Sequence, residues 1–281
     1  MLKFLLNLFL LARLLTCAAS TTTDTLFIND GFLQGTTDTI AVLSFNGNPS
    51  FDKSNAILQL AETDTLLLTI WNMDNEVHGF AVRNTAVSID SIAPGTSAVV
   101  TISLSAGAYI YHDPLGYGAY LGLAGLLQVG FPCAAHFFWN IHEYRSGWND
   151  SLAQGITPNT DFVPDLFTVN GFDFPGSLSD STSVVRGAVG DTLYVVVVNT
   201  GLMSHSIHTH GFHGTIRYSS KYSAHVGRVK DSFPILPMET LIIELVPHQP
   251  GIYPVHDHNL VAVTSGGNYP GGMISHMNIQ P

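Results

Sequence analysis

Residues 107–113 read Gly-Ala-Tyr-Ile-Tyr-His-Asp, and residues 251–257 read Gly-Ile-Tyr-Pro-Val-His-Asp. Each is a Gly-x-Tyr run with the composition of a strand, closed by a His-Asp pair. The likeness continues upstream of both. Pro94 leads into AVVTISL (98–104) before the first run, and Pro237 leads into TLIIELV (240–246) before the second. Farther back, Asn72 stands six residues before His78, and Asn199 stands six before His205. Each half therefore presents an Asn, a His, an apolar strand and a Gly-x-Tyr strand ending in His-Asp. A period this long means two copies of one domain rather than a solenoid array. The expected limits are residues 20–130 and 136–281, with the boundary near Phe131-Pro132-Cys133.

Between these anchors the chain reads as short β-rich runs, among them Thr65 to Trp71 and Leu193 to Asn199, separated by Gly, Pro, Asn and Asp turns. No long amphipathic helix is evident. Turns every ten residues or so predict an all-β protein of sandwiches with Greek-key links. Of the 281 residues, 46% are hydrophobic and 11% charged, with 26 glycines, a globular composition that excludes disorder.

Residues 1–19, MLKFLLNLFLLARLLTCAA, place Lys3 before an apolar run that ends in small residues, the pattern of a secretory signal. The alternative, a membrane anchor, is disfavoured by Arg13, which leaves an apolar stretch far short of the ~20 residues that a span needs. The expected location is secreted or periplasmic, with no membrane contact after cleavage. Loss of Lys3 and Arg13 reduces the ten basic residues to eight against 21 acidic ones, a net charge of −13. That balance argues against nucleic acid or an anionic membrane as a partner. Cys133 is then the one remaining cysteine, so no intrachain disulfide forms. Asn149-Asp150-Ser151 is a glycosylation sequon of the kind that also arises by chance.

The thirteen histidines are most informative where they cluster. His208 and His210 are two residues apart, as are His256 and His258, so in extended chain each pair shares one face while His205 and Asp257 point to the other. Four imidazoles from neighbouring strands thus have the means to converge on one centre. Imidazole suits copper, zinc, nickel or iron, so spacing alone leaves the metal open. Histidines standing alone, such as His136, His142, His225, His248 and His276, read instead as surface or hydrogen-bonded core residues.

At these residues the chain resembles the multicopper oxidase superfamily. The run His205-x-x-His208-x-His210-Gly is similar to that family's third copper motif, and His256-Asp257-His258 falls where the family has His-Cys-His. The length implies the two-domain members, copper nitrite reductases and two-domain laccases, which are homotrimers of cupredoxin-like domains with copper between subunits. The resemblance implies copper as cofactor, His208, His210, His256 and His258 as metal ligands, and His112 as a further ligand contributed across a subunit interface. It implies His210 as the group that passes a proton to a bound small-molecule substrate; in an oxidoreductase acting at this cluster, His210 or Asp257 is expected to handle protons.

The departures are equally specific. A blue-copper site needs a thiolate with two imidazoles, yet Asp113 and Asp257 occupy the cysteine positions and Ala262 stands where a second ligand would follow. Arg83 replaces another ligand histidine of the nitrite reductases. Since a lone buried aspartate is costly, Asp113 is expected to pair with His78 and Asp257 with His205. Three functions stay open on this reading: an oxidoreductase acting at the imidazole cluster without blue copper, a non-catalytic copper or zinc binder, and a structural or recognition module.

Overall fold

The computed structural model describes residues 19–35, 38–130 and 135–281. The expected secretory signal up to Ala18, the proposed boundary residues 131–133 and Cys133 lie outside the described residues. The first half forms β1 (Thr21–Gln34), β2 (Thr39–Asn46), β3 (Leu58–Leu60), β4 (Thr65–Asn72), β5 (His78–Val82), β6 (Ser88–Ile92), β7 (Ser97–Ile102), β8 (Gly107–His112) and β9 (Ala124–Val129). The second forms β10 (Ala135–Tyr144), a short helix α1 (Ser146–Ala153), β11 (Leu166–Val169), β12 (Val185–Ala188), β13 (Leu193–Asn199), β14 (His205–Thr209), β15 (Gly214–Ser219), β16 (Val229–Lys230), β17 (Ser232–Ile235), β18 (Thr240–Leu245), β19 (Gly251–Asp257) and β20 (Ile274–Gln280). Among the described residues no helix is long and apolar enough to cross a membrane.

These strands make four sheets, ordered β2-β1-β4-β7, β3-β9-β8-β5-β6, β11-β10-β13-β18-β15-β16 and β12-β20-β19-β14-β17. The chain is all-β, and its sheets stack as two cupredoxin-like sandwiches. In the first, Leu26, Ile28, Leu68 and Ile70 of one sheet meet Phe80, Tyr111 and Leu127 of the other. In the second, Trp139, Val195, Val197 and Ile243 meet Ile207, Phe233 and Val255. Strands with one open face, such as β4 and β14, bury alternate residues, because their side chains point to the two faces with period two. Pairing repeats as well: β1 runs parallel to β4, which is antiparallel to β7, and β10 runs parallel to β13, which is antiparallel to β18.

A third apolar cluster joins the halves. Ala108, Ile110, Ala124 and Leu126, on the outer face of β8 and β9, pack against Phe138, Tyr194, Val196, Val198 and Ile242. β13 is thus buried on both faces, which explains why all seven of its residues are buried. Thr240 Oγ1 donates to the Ala108 carbonyl at 2.8 Å, and Asn140 Nδ2 to the Ala124 carbonyl at 2.8 Å, tying the same seam with buried or half-buried hydrogen bonds. Asn149 is fully buried and its amide donates to the Ala41 carbonyl, so the sequon side chain is packed away from any glycan-transferring enzyme.

Candidate metal centre

The site begins with the alternation of β14 and β19. His205, Ile207 and Thr209 face the core, as do Val255 and Asp257, while His208 and His256 face outward. His208 and His256 are direct cross-strand partners, so their rings stand side by side. The chain turns at Gly211, whose φ is +80° and where a Cβ would collide with the Tyr253 ring. Glycine is the residue that tolerates both conditions, and the turn brings His210 to the same patch. The ring centroids of His208 lie 4.8 Å from His210, 5.5 Å from His256 and 4.6 Å from His258. The structure therefore brings all four clustered histidines together on the open face of one sheet.

Their hydrogen bonds set the tautomers. His256 Nδ1 donates to the Asp257 carbonyl at 2.9 Å, and His208 Nδ1 to the Asp231 carbonyl at 2.9 Å, with Ser232 Oγ at 3.0 Å. With Nδ1 donating, Nε2 of each ring is the nitrogen left to bind a metal, and such carbonyl bonds are what orient metal-binding imidazoles. His210 Nε2 lies 3.0 Å from His256 Nε2. That separation is short enough for both nitrogens to reach one ion with bonds of about 2.0–2.1 Å. Burial and the three neighbouring imidazoles hold His210 below the usual histidine pKa, which favours the neutral, liganding form. Among the described residues no three His, Cys, Asp or Glu side chains already surround one point at ligand distance.

His112 does not join them within the chain. It lies in β8, paired with Ala81 and Ala124, in the sheet that packs on the second sandwich through the opposite side from β14 and β19. Its Nδ1 donates to the Asp113 carbonyl, the same bond that His256 makes to Asp257, so its Nε2 is likewise free.

Both expected Asp–His pairs form, one in each sandwich, the second directly beneath the cluster. Asp113 Oδ2 is 2.7 Å from His78 Nδ1, and Asp257 Oδ2 pairs with His205 Nδ1. Oδ1 of each aspartate accepts two backbone N–H groups, from Gly79 and Leu115 at 2.8 and 2.9 Å, and from Ser206 and Asn259 at 3.0 and 2.8 Å. Asp257 is fully buried with every oxygen engaged, on the opposite face of β19 from the four imidazoles.

Sequence reasoning missed the second carboxylate on each histidine. Asp74 Oδ2 is 2.8 Å from His78 Nε2, and Glu143 Oε2 is 3.1 Å from His205 Nε2. Burial lowers the pKa of each ring, but the hydrogen bonds and charges of its two carboxylates outweigh that and raise it to about 9. Both histidines are thus imidazolium ions at neutral pH. Asp74 had a signal: it sits in a loop that Asn72 braces, donating to the Glu76 carbonyl and accepting from Asp74 N–H. Asn199 braces the matching loop through Met203 and Gly201. Gly201 there takes the place of Asp74, and a Cβ on it would collide with the Glu143 carboxylate. Glu143 reaches in from β10, 62 residues from its partner in sequence, so no local pattern announces it.

Residues 153–268 match the family model described as multicopper oxidase. Across the whole chain the fold is that of solved copper proteins at low identity. The blue copper oxidase from Nitrosomonas europaea is 20% identical, with a TM-score of 0.76, over 92% of this chain and 86% of that one. The multicopper oxidase mgLAC is 20% identical, with a TM-score of 0.76, over 93% and 87%. The copper nitrite reductase from Nitrosomonas europaea is 19% identical, with a TM-score of 0.72, over 92% and 94%. No curated protein matches by sequence. The matched residues include the whole four-histidine cluster, and Glu143 lies just ahead of them.

Proposed function

We propose that this chain is a secreted copper-binding protein of the multicopper oxidase type, acting as an oxidoreductase on a small molecule at His208, His210, His256 and His258. The supporting observation is the 3.0 Å approach of two Nε2 atoms inside a patch of four imidazoles, two of them oriented by carbonyls. Copper bound there supplies Lewis acidity and one-electron chemistry. His210, exposed at the rim, is the group that exchanges protons with a substrate, and Asp257 acts behind the sheet by fixing His205. His112 becomes a further ligand if a second copy of the chain meets the cluster in a homotrimer. Leu260 and Val261, which follow the cluster directly and are 74% and 55% exposed, give that contact an apolar surface.

Purified protein should carry stoichiometric copper by elemental analysis, and His208→Ala with His256→Ala should abolish it while the fold persists by circular dichroism. No intense blue absorption is expected, because a carboxylate stands where a thiolate would have to be. Metal-free purified protein that also fails to take up added copper would refute the reading. One observation favours a non-catalytic copper or zinc binder as the second reading: both positions that would admit electrons are sealed by carboxylate-bound imidazolium. Turnover with phenols or nitrite separates the two, since the second reading requires metal without turnover.

A further inference from the structure

Away from the imidazoles, a cleft opens at the seam between the two sandwiches. Arg83, Asn84 and Tyr109 line it from the first, and Tyr218, Ser220 and Met238 from the second. No carboxylate lines it, and among the described residues Arg83 makes no ion pair. Arg83 Nε is buried without a hydrogen-bond partner. A desolvated guanidinium N–H with nothing to donate to is costly, and in a chain this acidic a carboxylate neighbour would have been easy to provide. Ser220 Oγ accepts from Thr240 N–H at 2.9 Å, leaving its own hydrogen free for the cleft. The walls are held in place by the Thr240 bond to the Ala108 carbonyl.

We propose that this cleft binds a small organic carboxylate, bridging the sandwiches. The guanidinium of Arg83, which lines the cleft, offers a carboxylate its charge and N–H donors, and Ser220 adds a neutral donor. The rings of Tyr109 and Tyr218 with Met238 suit a short apolar body, which inorganic anions lack. The cleft measures about 200 Å³, below the roughly 300–1,000 Å³ of pockets for drug-sized ligands, so the acid is short.

Calorimetric titration of the metal-free full chain with propionate and, separately, inorganic phosphate tests this at pH 8, where exposed imidazoles are neutral. Expected is saturable one-to-one binding of propionate, weakened about tenfold to a hundredfold in Arg83→Gln, and weakened less in Arg83→Lys and Ser220→Ala, which keep the charge. Ser220→Ala leaves the guanidinium in place and removes one hydroxyl together with the acceptor of the Thr240 N–H, so it decides the matter if Arg83→Gln misfolds and the variant keeps the wild-type circular dichroism. Absence of saturable propionate binding, equal binding by the variants, or tighter binding of phosphate than of propionate each overturns the proposal.

Discussion

His205 sits between Asp257 and Glu143, with all three side chains excluded from solvent. Glu143 is held further by the N–H groups of Leu202 and Met203 at 2.5 and 2.6 Å. Removing one member of a buried charged network strands the others, at a cost of about 3–5 kcal/mol. Glu143→Ala and Asp257→Ala are therefore expected to lower the unfolding free energy read from urea titration by that much, whereas exposed Asp90→Ala should change it little. The pH dependence has a definite sign. His78 and His205 titrate near 9 in the fold and near 6.5 when unfolded, so the folded chain binds the extra protons between these values. Their contribution, on the order of 3 kcal/mol each, is complete below pH 6.5 and disappears as pH rises through 9. His142, fully buried between Thr200 and Tyr120, acts the other way: burial lowers its pKa, and its contribution is lost as pH falls below 6.5. Urea midpoints measured from pH 5 to 10 should peak near neutrality, with the alkaline limb flattened in His205→Gln. A limb unchanged by that substitution would show that His205 is neutral. The Asp-His pairs were legible because a lone aspartate at a cysteine position demands a partner. Glu143 was not, since its approach depends on the room left by Gly201.

At the scale of the element, β14 and β19 separate two chemistries by the parity of the pleat. Even-numbered histidines 208 and 256 face outward, while 205 and Asp257 face the core. This much follows from spacing alone, because a strand has a fixed period of two. What spacing does not encode is how far apart the rings stand, which depends on the register His208 opposite His256 and on the turn at Gly211. Gly211→Ala should test the turn. An alanine there must adopt a left-handed backbone, at about 1–2 kcal/mol, and must also displace Tyr253. The expected result is a thermal midpoint lowered by several degrees and weaker copper uptake, since His210 moves with the turn. A variant that melts lower yet binds copper as tightly as wild type would place His210 outside the ligand set.

On the scale of the whole molecule, the internal repeat foretold two similar sandwiches but not how they meet. The seam uses the outer faces of β8 and β9 and of β10, β13 and β18, and the residues there are apolar on strands whose other face is apolar too. A strand buried on both sides loses the alternation that would mark either face, so the contact surface was hidden in what read as ordinary core. The energetic consequence is testable through Val196, which is fully buried and points to the first sandwich rather than into its own core, the place of Val195 and Val197. Val196→Asp puts an unpaired carboxylate into the seam and leaves both sandwich cores intact. Because the wild-type seam is apolar and continuous, calorimetry should give one unfolding transition for the native chain. In Val196→Asp the second sandwich should melt separately, followed by the near-ultraviolet signal of buried Trp139. Two well-separated transitions already in the wild type would mean that the seam is too weak to couple the halves, and a carboxylate bridging it at Arg83 would then raise only the lower of the two.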